Sequence, residues 1–313
     1  MTAIDTTRAG DPMSAIPRRY PSRRRALRRT HVMAAVFVIP ALALMVVFLV
    51  VPVIQNVQYS FTNWNGITAP VWIGLSNYTE LLSDSLFHAV LTHTLELAVV
   101  GTLAATLVGL LWAYGIERRL PGWRVYRFTL FIPVVMPITV SGLLWSLLLQ
   151  GEGPINAILG ALGWQNPPVW LGDPTITMWV VIAVSVWQAS GFTMLLLLSG
   201  MEDVPRELHE AASLDGANSL RRLVSIVIPQ IRGTMAVVAV LQFISLLKAF
   251  DIVFAMTRGG PGNATDVLGT YLYEKAFAEL RWGYGSTVAV VMTVVLFCLS
   301  FVLYRILLGR EKA

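Results

Sequence analysis

Five stretches of this chain run for about the length of a bilayer-crossing helix without one charged residue: Val32–Val53, Leu97–Gly115, Phe128–Gln150, Thr175–Gly200 and Gly283–Tyr304. A helix rises about 1.5 Å per residue, so a hydrocarbon core of roughly 30 Å takes about 20 residues. No water is available at that depth, and a helix is the single-segment structure that pairs its own backbone groups. A sixth stretch, Thr234–Met256, is interrupted only by Lys248 and Asp251. Apolar residues make up 56% of the 313 residues and charged ones 13%, against roughly 25% charged in soluble domains. The six stretches use nearly all the apolar residues, so none is left for a separate soluble domain. The pattern predicts an all-α integral membrane protein with six transmembrane helices in one domain, residues 31–308. A basic tail over 1–30 and a short tail over 309–313 flank it.

The first stretch is read as a retained anchor. Its apolar core exceeds the roughly 7–15 residues of a signal peptide, and no small-x-small cleavage site follows. The arginine pairs before it are read as a basic flank rather than a twin-arginine export signal. Cys298, the lone cysteine, lies inside the last stretch and excludes an intrachain disulfide and a multi-cysteine metal site.

Cations beside membrane spans mark the cytoplasmic side. Eight Arg lie in 1–30, with Arg118, Arg119, Arg124 and Arg127 in 116–127 and Arg206, Arg221, Arg222 and Arg232 in 201–233. Arg305, Arg310 and Lys312 close the chain. The loops between these regions hold only Arg258, Lys275 and Arg281. Both termini and the loops after the second and fourth spans are therefore assigned to the cytoplasm. The net charge of +5 is spread along one membrane face, which argues against nucleic acid, and the Arg-rich tail over 1–30 is read as lying on anionic lipid.

The outer loop 54–88, with Trp64, Trp72 and Tyr78, reads as a short structured cap. Pro154–Leu162 reads as an interfacial helix ended by Pro167 and Pro168. Pro133 and Pro137 open backbone carbonyls and bend the third span. The loop 201–233 is too polar to span and too regular for a linker. Val204-Pro205-Arg206-Glu207-Leu208 opens a helix, Asp215-Gly216 breaks it, and Leu220, Leu223, Ile226 and Val227 recur at helical spacing up to Pro229. Two short helices meet at a glycine elbow. Such a knob either docks a partner or rests on headgroups.

Glu210-Ala211-Ala212-Ser213-Leu214-Asp215-Gly216-Ala217, followed by Leu223, Ile226, Ile228 and Pro229, resembles the EAA loop of importer-type ABC permeases. Leu223 stands where that family often has Phe. A second set is Thr257-Arg258-Gly259-Gly260-Pro261-Gly262-Asn263-Ala264-Thr265, then Tyr273, Ala276-Phe277 and Gly283-Tyr284-Gly285-Ser286. With Asn77-Tyr78 and His93-Thr94 it resembles the first permease of carbohydrate importers, the maltose and glycerol-3-phosphate type. The resemblance covers roughly residues 30–310.

The resemblance implies the importer-type ABC permease fold in a bacterial cytoplasmic membrane. It implies a second permease in a heterodimer, two ATPase subunits inside and a solute-binding protein outside. The cargo is a small-molecule sugar of di- or oligosaccharide size. ATP and Mg are used by the ATPase partner, and this chain binds no cofactor. Glu210, Ala211, Ala212, Asp215, Gly216, Ala217 and Pro229 form the coupling set, with Glu210 meeting a basic group of the ATPase. The sequence fits this division of labour. It has no G-x-x-x-x-G-K-[ST] phosphate loop, and Gly259-Gly260-Pro261-Gly262 is a turn without the lysine. His31, His88, His93 and His209 are scattered, so no catalytic or metal site is expected and the chain is not an enzyme.

A sugar path needs hydroxyl partners and aromatic faces. Polar groups in spans face the bundle interior, which makes Ser185, Gln188 and Gln242 path candidates, with Trp187, Phe243 and Phe250 beside them. By motif alignment the three polar ones fall near solute-lining positions of maltose-type permeases. The alternative for each Gln is an interhelical hydrogen bond. Lys248 and Asp251, three apart on one helix, read as a mutual ion pair, the alternative being gating or solute contact. Glu96 reads in the same way. Three other functions remain in view: an ion-coupled secondary transporter resting on Asp251 and Glu96, an intramembrane enzyme, and an ABC permease for a non-sugar solute.

Overall fold

The computed structural model describes residue 36 and residues 38–119 and 121–308. The tails over 1–30 and 309–313, and the first residues of the Val32–Val53 stretch, lie outside them. The chain divides into two units, one ending at Gln55 and one beginning at Asn56. In the first, helix α1 (Val38–Tyr59) carries only exposed side chains from Val38 to Gln55, apart from half-buried Val50.

The second unit opens with two-residue strands, β1 (Thr62–Asn63) and β2 (Val71–Trp72), paired antiparallel with Thr62 opposite Trp72. This hairpin is a small departure from an all-helical reading. Helix α2 (Ser76–Ser83) follows, and Asp84 then caps α3 (Ser85–Glu117) by accepting the Leu86 N–H at 2.8 Å. At 33 residues, α3 is about 50 Å long. It starts well before the apolar count at Leu97 and projects beyond a hydrocarbon core. The next helices are α4 (Trp123–Val135), α5 (Ile138–Leu148), α6 (Pro154–Ala161) and α7 (Thr177–Glu202). They are followed by α8 (Arg206–Leu214), α9 (Ser219–Gln230, with one π turn), α10 (Arg232–Leu247) and α11 (Asp251–Met256). The last two are α12 (Leu268–Tyr273) and α13 (Trp282–Leu308).

Four helices, α1, α3, α7 and α13, are long and apolar enough to cross a membrane. The bend expected of the third stretch is a full break, and the second arm of the 201–233 loop turns sharply into the fifth stretch just after Pro229. Helices α4 and α5 meet at 103°, and α9 and α10 at 77°. Neither α4 nor α5, at 13 and 11 residues, crosses alone. The cause of the first break is Pro137, which has no N–H to continue the ladder and takes an extended ψ of 134°. The second break falls two residues after Pro229, at Ile231. A further interruption at Lys248–Phe250 separates α10 from α11.

Helix α3 runs through three successive apolar clusters. Phe87 and Val90 pack with Leu81, Leu268, Tyr271 and Val288. Leu97 and Ala98 pack with Val181, Phe243, Leu247 and Ile252. Leu110, Ala113 and Ile116 pack with Met194, Leu197, Leu223 and Val227. Close approach of α3 and α7 needs Gly109, where an added Cβ would lie 2.5 Å from Thr193 Cγ2.

Polar staples tie down the end that carries the hairpin. Asn77 Nδ2 donates to the Ser60 and Thr62 carbonyls at 3.0 and 2.9 Å. Thr287 Oγ1 donates to the Ser60 carbonyl at 2.9 Å, and Thr94 Oγ1 accepts the Leu268 N–H at 2.9 Å. Tyr271, buried in this cluster, donates its hydroxyl to Asp84 Oδ2 at 2.5 Å and lies 2.9 Å from the Tyr284 hydroxyl. Partial burial pushes the Asp84 carboxyl up, but the bonds from Tyr271 and Leu86 and the nearby Lys275 charge outweigh it, leaving the pKa below the ordinary 3.8. Burial pushes the neighbouring Asp266 carboxyl the other way.

Tyr271→Phe is expected to lower stability at neutral pH by about 1.5 kcal/mol, the worth of a hydrogen bond to a charged acceptor. A depressed carboxylate pKa stabilises the fold above its unfolded value of 3.8, and the benefit disappears as pH falls through the folded value. The gap between wild type and variant in thermal unfolding in lipid nanodiscs therefore narrows below pH 3.8. Comparing the two proteins cancels the opposite contribution of Asp266.

Candidate coupling elbow and cavity

Helix α8 starts after Pro205, whose φ of −56° suits a helix entry. Ala212 is its buried residue, while Leu208 and Leu214 face out, Leu214 with 90% of its surface exposed. The helix ends in a left-handed cap. Gly216 has φ +72°, its N–H donates to the Ser213 carbonyl at 3.2 Å, and the Ala217 N–H donates to the Ala212 carbonyl at 2.9 Å. Nothing lies within 4 Å of a Cβ built on Gly216, so the requirement for glycine there is conformational and not one of space. Asn218 then caps α9 by accepting the Arg221 N–H at 2.9 Å.

The elbow is bound to the end of α3. Tyr114 Oη donates to the Ser219 carbonyl at 2.7 Å and Arg118 Nη1 to Ser219 Oγ at 2.5 Å. Arg222 Nη1 joins the arms through Ser213 Oγ at 3.0 Å. Leu223 and Val227, buried with Met194 and Leu197, anchor the second arm. Glu210 is exposed at a recess it shares with Arg118, Arg206, His209 and Arg222. Ala211, Asp215 and Gly216 are exposed beside it, and Ala217 is half-buried. Pro229 lies in the last turn of α9, before the 77° bend.

A cavity of about 540 Å³ lies among α5, α7, α10 and α11. It brings together Ser185, Gln188, Gln242 and Phe250 of the candidate path residues, along with Lys248 and Asp251. Trp187 and Phe243 do not line it. Trp187 packs edge-on to Trp145 with centroids 5.4 Å apart, and Phe243 is buried in the core. Ser245 also lines the cavity and was missed by the sequence reading. Its position three residues after Gln242, on the same helix face, was the available signal.

The polar groups have protein partners. Gln188 Nε2 donates to the Pro133 carbonyl at 2.6 Å and the Met136 carbonyl at 3.2 Å, the two carbonyls at the break between α4 and α5. Gln188 Oε1 is buried without a partner. Gln242 Nε2 donates to Thr193 Oγ1 at 2.8 Å, bridging α10 and α7, and Ser185 Oγ donates to the Val181 carbonyl of its own helix at 2.8 Å. No ion pair joins Lys248 and Asp251. The expected pairing assumed one continuous helix, and the interruption between Leu247 and Asp251 removes the shared face. Glu96 has no ion-pair partner among the described residues either. No group of three or more His, Cys, Asp or Glu side chains could hold a metal among the described residues.

Residues 105–312 match the family described as "Binding-protein-dependent transport system inner membrane component". The chain is 34% identical to the probable ABC transporter permease protein YurN of Bacillus subtilis (strain 168), over 91% of this chain and 100% of that one. It is 31% identical to the trehalose/maltose transport system permease protein MalF of Thermococcus litoralis, over 88% and 92%. In structure it resembles a chain of the bacterial alginate ABC transporter solved with an alginate pentasaccharide-bound periplasmic protein. The TM-score is 0.80 at 21% identity, over 92% of this chain and 98% of that one.

Gln188→Leu removes two donors from buried carbonyls and is expected to cost about 1–3 kcal/mol. Ser185→Ala, which removes a bond within one helix, is expected to cost under about 1 kcal/mol. Gly216→Ala forces an alanine into left-handed backbone at about 1–2 kcal/mol. Denaturation of the three variants in lipid tests the ranking, and equal losses for Gln188→Leu and Ser185→Ala would remove the bridging role of Gln188.

Proposed function

This chain belongs to the family of binding-protein-dependent transport system inner membrane components, and from that premise we propose that it is one of two permeases of an ATP-driven sugar importer. It is a multi-pass protein of the bacterial inner membrane and does not hydrolyse ATP itself. The elbow at Gly216 carries the reading. It is a rigid, capped, outward-facing helix pair tied to a membrane-crossing helix, which is what transmission of a partner's movement requires.

Counting each bent pair as one span gives six, with both termini on the cytoplasmic side by the distribution of arginine. The elbow then faces two cytoplasmic ATPase subunits that use ATP and Mg. Exposed Leu208 and Leu214 enter a groove on one of them, and Glu210 meets a basic group of it. The hairpin end faces a solute-binding protein outside. A second permease completes the path.

Nucleotide binding biases the assembly only through unequal affinity for its inward-open and outward-open states. ATPase closure draws the elbow, and α3 follows through the Tyr114 and Arg118 bonds to Ser219. Helices α7 and α10 move with α3 because Gly109, Thr193 and Gln242 hold the three together. The cavity between α5 and α10 changes access as they move. Its volume suits a small solute, and the sugar is of di- or oligosaccharide size. Ser185, Gln188 and Gln242 shape the wall, with Trp187 and Phe243 packed behind it. Lys248, Asp251 and Ser245 offer polar groups to hydroxyls, and Phe250 offers a ring face.

The test is ATP hydrolysis by the assembly purified in lipid after co-expression with the neighbouring transport genes, with wild type compared with Gly216→Pro. Binding protein loaded with the right sugar is expected to stimulate wild type several-fold and to leave the variant at its basal rate, with the assembly still co-purifying and only the elbow distorted. Absence of a co-purifying ATPase, together with uptake by the chain alone, would establish the secondary-transporter reading instead.

A further inference from the structure

On the face that carries the elbow, the hinge between α3 and α4 walls a cavity of about 550 Å³. Arg119, Arg127, Arg206 and His209 line it, against Glu117 and Glu202. Among the described residues no ion pair holds any of the three arginines. A positive field is left facing a space large enough for a headgroup. Arg119 stands in left-handed backbone, φ 51°, where glycine is the usual residue. Helix α4 begins at the same edge with no side-chain cap on its first N–H groups, so the positive end of its dipole adds to the field.

The cavity does not end in polar surroundings. It shares Trp123 and Arg127 with a groove of about 410 Å³ that continues along α4 and α7, lined by Phe128, Phe131 and Leu195. Phe128 lies 71% exposed, and Arg124 covers the Trp123 ring at 5.4 Å. A basic chamber opening onto an apolar trough suits a molecule with an anionic head and a hydrocarbon tail. A carboxylate on a protein partner would use the chamber and leave the trough empty. Free phosphate would do the same.

We propose that this composite site holds one anionic phospholipid of the cytoplasmic leaflet. The phosphate sits among Arg119, Arg127 and Arg206, and an acyl chain lies along Phe128 and Phe131. The site lies between the first arm of the elbow, which supplies Arg206 and His209, and the membrane-embedded α4. The bound lipid therefore contacts the coupling machinery without belonging to the solute path. The proposal rests on the sidedness given above.

The experiment uses the whole co-purified assembly. Lipid retained after detergent purification is counted by native mass spectrometry, for wild type and for Arg119→Gln/Arg127→Gln, after reconstitution with phosphatidylglycerol or phosphatidylcholine. Wild type is expected to retain phosphatidylglycerol preferentially, and the double variant to retain on the order of tenfold less of it, with phosphatidylcholine unchanged. Equal retention of phosphatidylglycerol by both proteins overturns the site. Inorganic phosphate that protects the assembly from thermal unfolding as well as phosphatidylglycerol does overturns the acyl groove. If the variant fails to assemble, a phosphatidylglycerol with a photoreactive acyl chain decides on wild type alone. Cross-links at Phe128 and Phe131 support the proposal, and cross-links confined to other segments refute it. Sugar-stimulated ATP hydrolysis by an assembly that retains both lipids equally sinks this inference and leaves the importer reading intact.

Discussion

In hydrocarbon a carbonyl released from a helix has no water to turn to, and the break at Met136–Pro137 depends on how that is resolved. Pro137 brings no N–H, and the Pro133 carbonyl keeps only the Met136 N–H at 3.3 Å. The Gln188 amide, on a different helix, adds a second donor there and one to the Met136 carbonyl. Because this corner is satisfied, α5 can leave the direction of α4 by 103° and pack against α11. That departure creates one wall of the cavity. A residue that looked like a solute ligand is therefore first a pin, and only its unpartnered oxygen remains uncommitted.

Much of this architecture is legible in the sequence, and the exceptions have physical reasons. Uncharged runs such as Thr175–Gly200 identify helices because lipid leaves few other options. The same runs say nothing of direction; Pro133, Pro137 and Pro229 marked the bends in Phe128–Gln150 and before Thr234, but nothing local encodes angles of 103° and 77°. The first twelve residues of α3, Ser85–Glu96, were hidden for the opposite reason. They lie beyond the hydrocarbon depth and alternate polar with apolar residues, packing Phe87 and Val90 inward.

Site residues divide in the same way. The glycine elbow was readable because a left-handed cap has a local signature, and Asp215-Gly216 carries it. Among the residues behind the carbohydrate-importer resemblance, Asn77 and Thr94 build the end that carries the hairpin, each holding a distant backbone segment in place. The supposed Lys248–Asp251 pair failed because spacing carries meaning only along an unbroken helix. The cavity depends on tertiary approach of four segments, and no local pattern encodes that.

The cavity wall has a consequence for the life of the polypeptide before assembly. Lys248 and Asp251 stand open on one side of it without each other's company. On the proposed topology that side is closed by the second permease. A copy inserted alone offers a cation and an anion to lipid, at about 2.5–3.5 kcal/mol for each such charge near the bilayer centre. Such an orphan is a poor lipid solute, and it differs from the proposed pair in a way that membrane proteases can sense. On the proposed pairing, the polar groups of the cavity also make partnership a condition of survival, which ties the abundance of this chain to synthesis of its partner.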